Sequence, residues 1–165
     1  MAEYTHMKRN FGPVYDKNSE ILILGSCPSV KSREIAFYYG NPQNRFWPLI
    51  GMIIQKDIPD DIESKKQLML ENRIALWDTI EECDIIGSGD SSIKNVIPVN
   101  IEEILDTADI KEIYCNGTTS YNLFMKYLYP RCGRSPVKLP STSPANAAWS
   151  LDRLYEEWKQ IIQHN

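Results

Sequence analysis

The feature that most constrains the fold is an uninterrupted apolar run, Ile21-Leu22-Ile23-Leu24, followed at once by the small-residue turn Gly25-Ser26-Cys27-Pro28. Because the run does not alternate with polar residues, it predicts a strand that is buried on both faces, as in parallel sheets. Similar short strands are indicated at residues 74–77, 112–115 and 137–139, with helical periodicity between them. This alternation predicts an α/β fold, a three-layer αβα sandwich around a short, mainly parallel four-stranded sheet.

Each predicted strand ends in a polar or small-residue turn. The turns are Ser26-Cys27, Asp78, Asn116-Gly117 and Pro140-Ser141. In open parallel sheets, ligands bind beyond the carboxyl ends of the strands, which meet at one edge. The sequence therefore predicts a single cleft that gathers all four turns.

The length of 165 residues fits a single domain, residues 1–165, in which residues 1–19 form an extended lead-in. No apolar run is long enough to span a membrane. No apolar secretion segment follows the basic residues near the N-terminus. We therefore expect a cytoplasmic protein with no membrane partner, and we expect a monomer.

The cysteine and histidine content argues against metal chemistry. The four cysteines contain no CxxC pair, and the two histidines, His6 and His164, lie near the termini. No metal or cofactor is therefore expected, and neither is a histidine-based catalytic triad. The cysteines are expected to be free thiols.

The net charge of −4 argues against a broad basic surface for nucleic acid. Basic residues nevertheless flank the predicted turns, so a local basic face is compatible with the sequence. These residues are Lys31, Arg33, Arg45, Arg131, Arg134 and Lys138.

A stretch that mixes aromatic and polar residues, Tyr38-Tyr39-Gly40-Asn41-Pro42-Gln43-Asn44-Arg45-Phe46-Trp47, precedes a helix predicted over residues 44–55. Its glycine and proline indicate a loop. Asn44 is suited to cap the helix. Tyr38 and Tyr39 precede the turn, where a flat ring could stack on a planar ligand.

Together with Gly25-Ser26-Cys27-Pro28-Ser29, this stretch resembles the first motif region of the uracil-DNA glycosylase superfamily. The match is closest to its deoxyinosine (hypoxanthine) DNA glycosylase branch, near the mismatch-specific uracil glycosylases. Cys115-Asn116-Gly117-Thr118 falls where the superfamily has a strand-to-helix turn, and residues 139–146 fall where it has its DNA-inserting loop. The resemblance covers residues 20–158. It implies a monofunctional DNA glycosylase that hydrolyses the N-glycosidic bond of a deaminated base in base excision repair.

The resemblance also implies roles for single residues. Asn44 takes the position of the catalytic asparagine of the deoxyinosine branch, although it could also only cap the helix. Tyr39 takes the position of the ring that stacks on the flipped base, with core packing as the alternative. The residues implied in contacts with DNA or phosphate are Ser26, Ser29, Asn116, Ser141, Ser143, Pro144, Ala145 and Asn146. Each serine among them could instead serve only to form a turn.

Three positions decide the predicted base. Cys27 stands where relatives have a water-positioning asparagine or aspartate, and Leu139 stands where they often have a histidine that stabilises the leaving base. Asp78 stands where uracil-specific relatives have a base-reading asparagine. An ionised carboxylate only accepts hydrogen bonds, which suits the N1–H of hypoxanthine and also the N3–H of uracil. We predict that Cys27 and Asp78 contact the base and that hypoxanthine is removed in preference to uracil. Alternatively, Asp78 only caps the turn before Thr79.

Other functions also fit parts of the sequence. The chain could be a mismatch-specific uracil DNA glycosylase. It could also be a module that binds damaged DNA or a nucleobase without cleavage, given the departures at Cys27 and Leu139. An α/β protein that binds a phosphorylated metabolite at the same edge would explain neither Tyr39 nor the asparagine-rich loop.

Overall fold

A computed structural model describes residues 3–162 of the chain, so His164 lies outside the described residues. Its strands are β1 (Thr5–Lys8), β2 (Ile21–Gly25), β3 (Ile74–Asp78), β4 (Ile80–Ile85), β5 (Lys94–Pro98), β6 (Glu112–Asn116) and β7 (Val137–Leu139). Strands β3, β2, β6 and β7 form the central sheet in that order, and all three neighbouring pairs are parallel. The predicted parallel four-stranded sheet is confirmed.

Helices connect these strands. They are α1 (Val30–Ile35), α2 (Phe46–Ile54), α3 (Ile62–Glu71), α4 (Glu102–Leu105), α5 (Thr118–Leu123), α6 (Tyr129–Cys132) and α7 (Leu151–Trp158). They flank the central sheet, which confirms the predicted αβα architecture. Within residues 3–162, no helix has the length and apolar character needed to cross a membrane.

Strand β2 lies at the centre of the hydrophobic core. All five of its residues and all five of β3 are buried, which explains why neither strand alternates apolar with polar residues. The parallel register pairs Gly25 with Asp78 at the carboxyl ends of the two strands. This pairing brings the first two predicted turns into contact.

A second, antiparallel sheet in the order β1-β4-β5 was not predicted. Strand β1 lies inside the segment expected to be an extended lead-in, and it pairs with β4 from Thr5 opposite Ile85. Further along this segment, Val14 and Leu76 exchange backbone hydrogen bonds of 2.9 Å, which covers the edge of β3. The pairing of β4 with β5 shifts register along its length. Buried and exposed residues therefore do not alternate regularly in β4, and the sequence lacks the alternation that would predict a strand.

Two helix ends differ from what the sequence pattern predicts. A proline commonly ends a helix, but a π-helical turn, Phe124–Leu128, precedes Pro130 and α6 continues to Cys132. Proline is tolerated in the first turn of a helix, where its missing N–H needs no partner. Helical periodicity continued from α7 would place Ile162 on the buried face, but Ile162 is exposed, because the chain tightens into a 3₁₀ turn, Lys159–Ile162, that changes the helical phase.

Candidate active site

The carboxyl edge of the central sheet opens into a cleft of about 410 Å³. Gly25, Asp78 and Asn116, which end three neighbouring strands, all line the cleft, so the turns that the sequence grouped do meet there. The other predicted site residues lining it are Ser26, Cys27, Ser29, Tyr39, Asn44, Ser141, Ser143, Pro144 and Ala145. Asn146 lines an adjoining cleft that shares several of these residues.

Asn44 both lines the cleft and starts a helix. Its Oδ1 accepts a hydrogen bond of 2.9 Å from the backbone N–H of Phe46, the first residue of α2. The next residue, Arg45, donates its backbone N–H to the carbonyl of Thr142, which fixes this loop against the segment after β7. The Nδ2 amide of Asn44 donates no hydrogen bond within residues 3–162. Because Oδ1 also keeps a second lone pair, capping leaves the amide able to bind water or substrate.

Tyr39 forms a rigid aromatic wall of the cleft. Its φ of +54° is uncommon for a bulky residue, and such strain is concentrated at functional sites. Its ring stacks on Phe46 with centroids 3.9 Å apart, and its hydroxyl accepts a hydrogen bond of 3.3 Å from Asn116 Nδ2. Burial, together with the nearby charge of Asp78, raises the pKa of Tyr39, so the phenol stays neutral.

Asp78 is a buried carboxylate with its two oxygens in different surroundings. Oδ2 accepts a hydrogen bond from Nη1 of Arg9, and both side chains are almost completely buried. Oδ1 lies over Gly25, where a β-carbon would collide with it. The N–H of Thr79 donates to the Gly25 carbonyl rather than to Asp78. The structure therefore gives no support to the alternative in which Asp78 only caps that turn. Arg9 was not identified as a site residue from the sequence, because it is one of several basic residues in the segment expected to be an extended lead-in.

Cys27 lines the cleft but is turned towards the second sheet. Its thiol interacts with Cys83 and packs against the small apolar cluster of that sheet. The hydrogen bond with Cys83, followed by burial, raises the pKa of Cys27 far above its usual range. The group is therefore a neutral thiol, which cannot act as a base towards water.

The segment after β7 is a chain of local turns. Ser141 Oγ accepts from the Ser143 N–H, Ser143 Oγ accepts from the Ala145 N–H, and Asn146 Nδ2 donates to the Ser141 carbonyl, all at 3.0–3.1 Å. Asn116, at the end of β6, also holds this segment: its Nδ2 donates to Thr142 Oγ1 and its Oδ1 accepts from the Thr142 N–H. A direct phosphate contact by Asn116 would have to break one of these bonds.

Arg45 anchors the same segment. Its guanidinium donates to the backbone carbonyls of Ser143, Asn146 and Trp149. Arg131 is likewise held by the carboxylate of Glu102 at 2.6 Å. Lys31 also pairs with Glu34 at 3.6 Å, and Arg33 donates to the Gly87 carbonyl at 3.3 Å. Four of the six cations that the sequence placed near the cleft thus have partners within the protein, which leaves a smaller basic face than expected.

The remaining predicted serines, Ser26 and Ser29, also line the cleft. Ser29 caps α1 by accepting the Ser32 N–H at 3.1 Å, as its turn-forming alternative predicts. Ser26 Oγ donates to Asp90 Oδ1 at 3.4 Å. Asp90 and Phe11 also line the cleft, and both were missed because each lies in a segment without a recognisable motif.

Comparisons with known proteins agree with this geometry. No protein-family model matches the chain. The chain is 38% identical to a hypoxanthine DNA glycosylase of Methanosarcina acetivorans, over 96% of this chain and 99% of that protein. It is 36% identical to a hypoxanthine DNA glycosylase of Methanosarcina barkeri, over 68% of this chain and 73% of that protein.

A structural neighbour supports the same relationship. The solution NMR structure of a Methanosarcina acetivorans protein, described as a candidate uracil DNA glycosylase, has a TM-score of 0.79 with 35% sequence identity. The match covers 97% of this chain and 98% of that one. The superfamily that the motifs indicated is therefore confirmed. The chain belongs to the hypoxanthine DNA glycosylases of the uracil-DNA glycosylase superfamily.

Proposed function

We propose that this protein removes deaminated bases from DNA by hydrolysing the N-glycosidic bond, and that it prefers hypoxanthine to uracil. The observation that carries the proposal is the buried carboxylate of Asp78, which lines the same cleft as the Tyr39 ring and the Asn44 amide. A base must leave the DNA stack to reach such a cleft. The names of the two relatives support the choice of hypoxanthine.

Tyr39 and Asp78 would hold the flipped base. Phe46 covers one face of the Tyr39 ring, so a planar base on the ring would extend an existing stack. Asp78 Oδ1 would accept the N1–H of hypoxanthine. Adenine carries a lone pair at the same ring position, so the carboxylate would repel it.

Asn44 would act on the reacting sugar. Its amide would orient the attacking water or support the positive charge that develops on the sugar. The structure offers no competing base at Cys27, whose thiol is neutral. Asn44 is therefore the residue to which we assign catalysis, and its capping bond to Phe46 keeps the amide in a fixed orientation.

The decisive experiment compares single inosine and uracil lesions in duplex DNA. Incubation with the protein, followed by alkaline cleavage of abasic sites, measures base removal. We expect faster cleavage at inosine. Faster cleavage at uracil opposite guanine would support the mismatch-specific alternative, and tight binding without cleavage would support a recognition module.

The segment of residues 143–146 is expected to act as a wedge that keeps the base extruded. Replacing these four residues with glycine should slow cleavage of duplex DNA more than that of single-stranded DNA, because extrusion from a duplex costs a few kcal/mol. The bonds from Arg45 go to backbone carbonyls and survive this change. An Arg45→Met variant keeps the side chains of residues 143–146 but removes the hydrogen bonds that hold their backbone. Comparing the two variants therefore distinguishes the effect of the side chains from that of the anchor. Equal losses on both substrates would show that the segment is not a wedge.

DNA affinity is expected to fall with salt, by about 0.9 log unit per log unit of salt for each phosphate contact. Lys31 has a half-exposed side chain whose 3.6 Å pair with the exposed Glu34 is weak, and it lies between Ser29 and Ser32, which line the cleft. Lys31→Ala should lower the slope by about one contact, whereas Arg131→Ala, a matched control, should leave it unchanged. Fluorescence anisotropy with a labelled duplex measures both slopes. Salt-independent binding by the parent would contradict a DNA substrate.

Monomeric state and cytoplasmic location stay predictions from the sequence. Size-exclusion chromatography with light scattering tests the monomer directly.

A further inference from the structure

Arg9 lies directly behind the carboxylate that faces the cleft. Its backbone N–H donates to the Glu81 carbonyl at 3.0 Å, which extends the pairing of β1 with β4. The second sheet thus delivers the guanidinium to the edge of the first. Arg9 Nη1 donates to Asp78 Oδ2, and this pair bridges 69 residues of sequence.

The guanidinium is itself held in place. Nη2 donates to the Tyr38 hydroxyl at 3.1 Å and to the Phe11 carbonyl at 3.4 Å. The Tyr38 hydroxyl donates in turn to the Gly12 carbonyl at 2.8 Å. The guanidinium carbon also lies 4.9 Å from the centre of the Phe11 ring. Arg9 therefore has a fixed orientation and fixes Asp78 in turn.

Stability alone does not explain this pair. A buried ion pair must overcome the desolvation of both charges and is often no more stable than an apolar replacement. Arg9 Nε adds to that cost, since it is buried with no hydrogen-bond acceptor within residues 3–162. Buried groups of this kind are concentrated at functional sites. The position of the pair at the wall of the cleft points to such a role.

The pair has two consequences for a base in the cleft. Arg9 occupies Oδ2, so Oδ1 is the carboxylate oxygen presented over Gly25 towards the base. A single acceptor suits hypoxanthine, with one ring N–H beside a carbonyl, better than guanine, whose edge presents two adjacent donors. The second consequence is electrostatic. A base that leaves with the electrons of the glycosidic bond becomes negative, and an uncompensated carboxylate beneath it would oppose departure.

We propose that Arg9 is a positioning residue for base excision: it fixes Asp78 with one acceptor oxygen towards the base and cancels the carboxylate charge as the base leaves. This inference rests on the proposed function. It assigns to the second sheet a role in catalysis through a residue that does not line the cleft.

The test uses Arg9→Met, Arg9→Lys, Asp78→Asn and the double variant Arg9→Met with Asp78→Asn. Arg131→Met, which removes a surface partner of Glu102, is the matched control. Circular dichroism and thermal unfolding establish that each variant is folded. Cleavage of an inosine duplex under single-turnover conditions, over a range of enzyme concentrations, gives the maximal rate and the half-saturating concentration separately.

We expect Arg9→Met to lower the maximal rate at least tenfold with little change in the half-saturating concentration, because the charge matters most as the base departs. Arg9→Lys should recover part of the rate, since it restores the charge with fewer donors. Removing Arg9 in the Asp78→Asn background should change the rate less than twofold, because Arg9 acts only through Asp78. If Arg9→Met alone fails to fold, Arg9→Lys, which keeps a positive charge beside Asp78, supplies the comparison with the parent, and a parental rate in Arg9→Lys together with less than a twofold effect in the Asp78→Asn background would contradict the role of the guanidinium.

The inference is wrong if folded Arg9→Met keeps the parental rate. It is also wrong if the loss of Arg9 lowers the rate as much in the Asp78→Asn background as in the parent. A parent protein that does not cleave inosine DNA would instead overturn the proposed function, whatever the behaviour of Arg9.

Guanine offers a further readout. Parent protein that removes guanine from a single-stranded oligonucleotide as fast as hypoxanthine would contradict the single-acceptor geometry.

Discussion

Replacing Asn44 with alanine is expected to raise the activation free energy of base removal by about 2–4 kcal/mol, which is roughly a 30- to 900-fold loss of rate. The amide lines the cleft and is held by its bond to the Phe46 N–H. Its contribution is greatest in the transition state, when the sugar becomes positive and the water must be aligned. Binding of inosine DNA should therefore change little. Single-turnover cleavage and anisotropy measure the two quantities separately.

The alanine also removes a helix-starting hydrogen bond, which costs about 0.5–2 kcal/mol of stability in typical helices. Asp61→Ala is the matched control, because Asp61 caps α3 through a bond to the Ser64 N–H and does not line the cleft. It should lose stability without losing cleavage. Asn44→Asp keeps the oxygen that caps the helix but has no amide donor, so its rate shows which of the two atoms acts on the substrate. Full activity in a folded Asn44→Ala variant would contradict the assignment.

Asp78→Asn is expected to have the largest effect on stability. The change leaves the Arg9 guanidinium buried without its counter-charge, and losing one partner of such a pair typically costs about 3–5 kcal/mol. Denaturant unfolding of the variant measures this loss. The matched control is Glu20→Gln, because Glu20 pairs with Arg73 and Lys111 at the surface and should matter far less.

The same substitution should change the choice of base. An asparagine amide both donates and accepts, so it can satisfy a uracil carbonyl and the neighbouring N–H together. We expect uracil removal to rise relative to hypoxanthine removal in Asp78→Asn. Paired assays on inosine and uracil duplexes measure the ratio. If neither rate changes, Asp78 does not read the base, and a parent that prefers uracil would refute the predicted specificity.

The sequence motifs predicted the cleft because the strands and turns that form it depend on residues that are neighbours in sequence. A short unbroken apolar run that ends in a small-residue turn favours a strand covered on both faces, and parallel strands present their carboxyl ends together. Gly25, Asp78 and Asn116 therefore met as expected. Asn44 was recognised because capping residues and their helix are neighbours in sequence. The helix began at Phe46 rather than at Asn44, a difference that a cap position makes difficult to read.

The sequence was less informative where the structure depends on distant contacts. Arg45 looked like a cation available to DNA, but its guanidinium reaches carbonyls about one hundred residues away. Cys27 was predicted to contact the base and it lines the cleft, but the sequence did not reveal that its thiol also interacts with Cys83 on the second sheet. The second sheet was not predicted, because the register of β4 against β5 is irregular and β4 also pairs with a strand near the N-terminus.

The sequence by itself determined the central sheet, the edge at which the turns meet and the family, since apolar periodicity and short motifs are properties of neighbouring residues. Only the tertiary structure decided the electrostatics of the site. Arg9 is one of 18 basic residues, and nothing local distinguishes it from the others. Its importance arises from burial beside Asp78, where low dielectric strengthens the interaction of the two charges and makes an unpaired charge costly. Distance and desolvation set that energy, and both exist only in the folded chain.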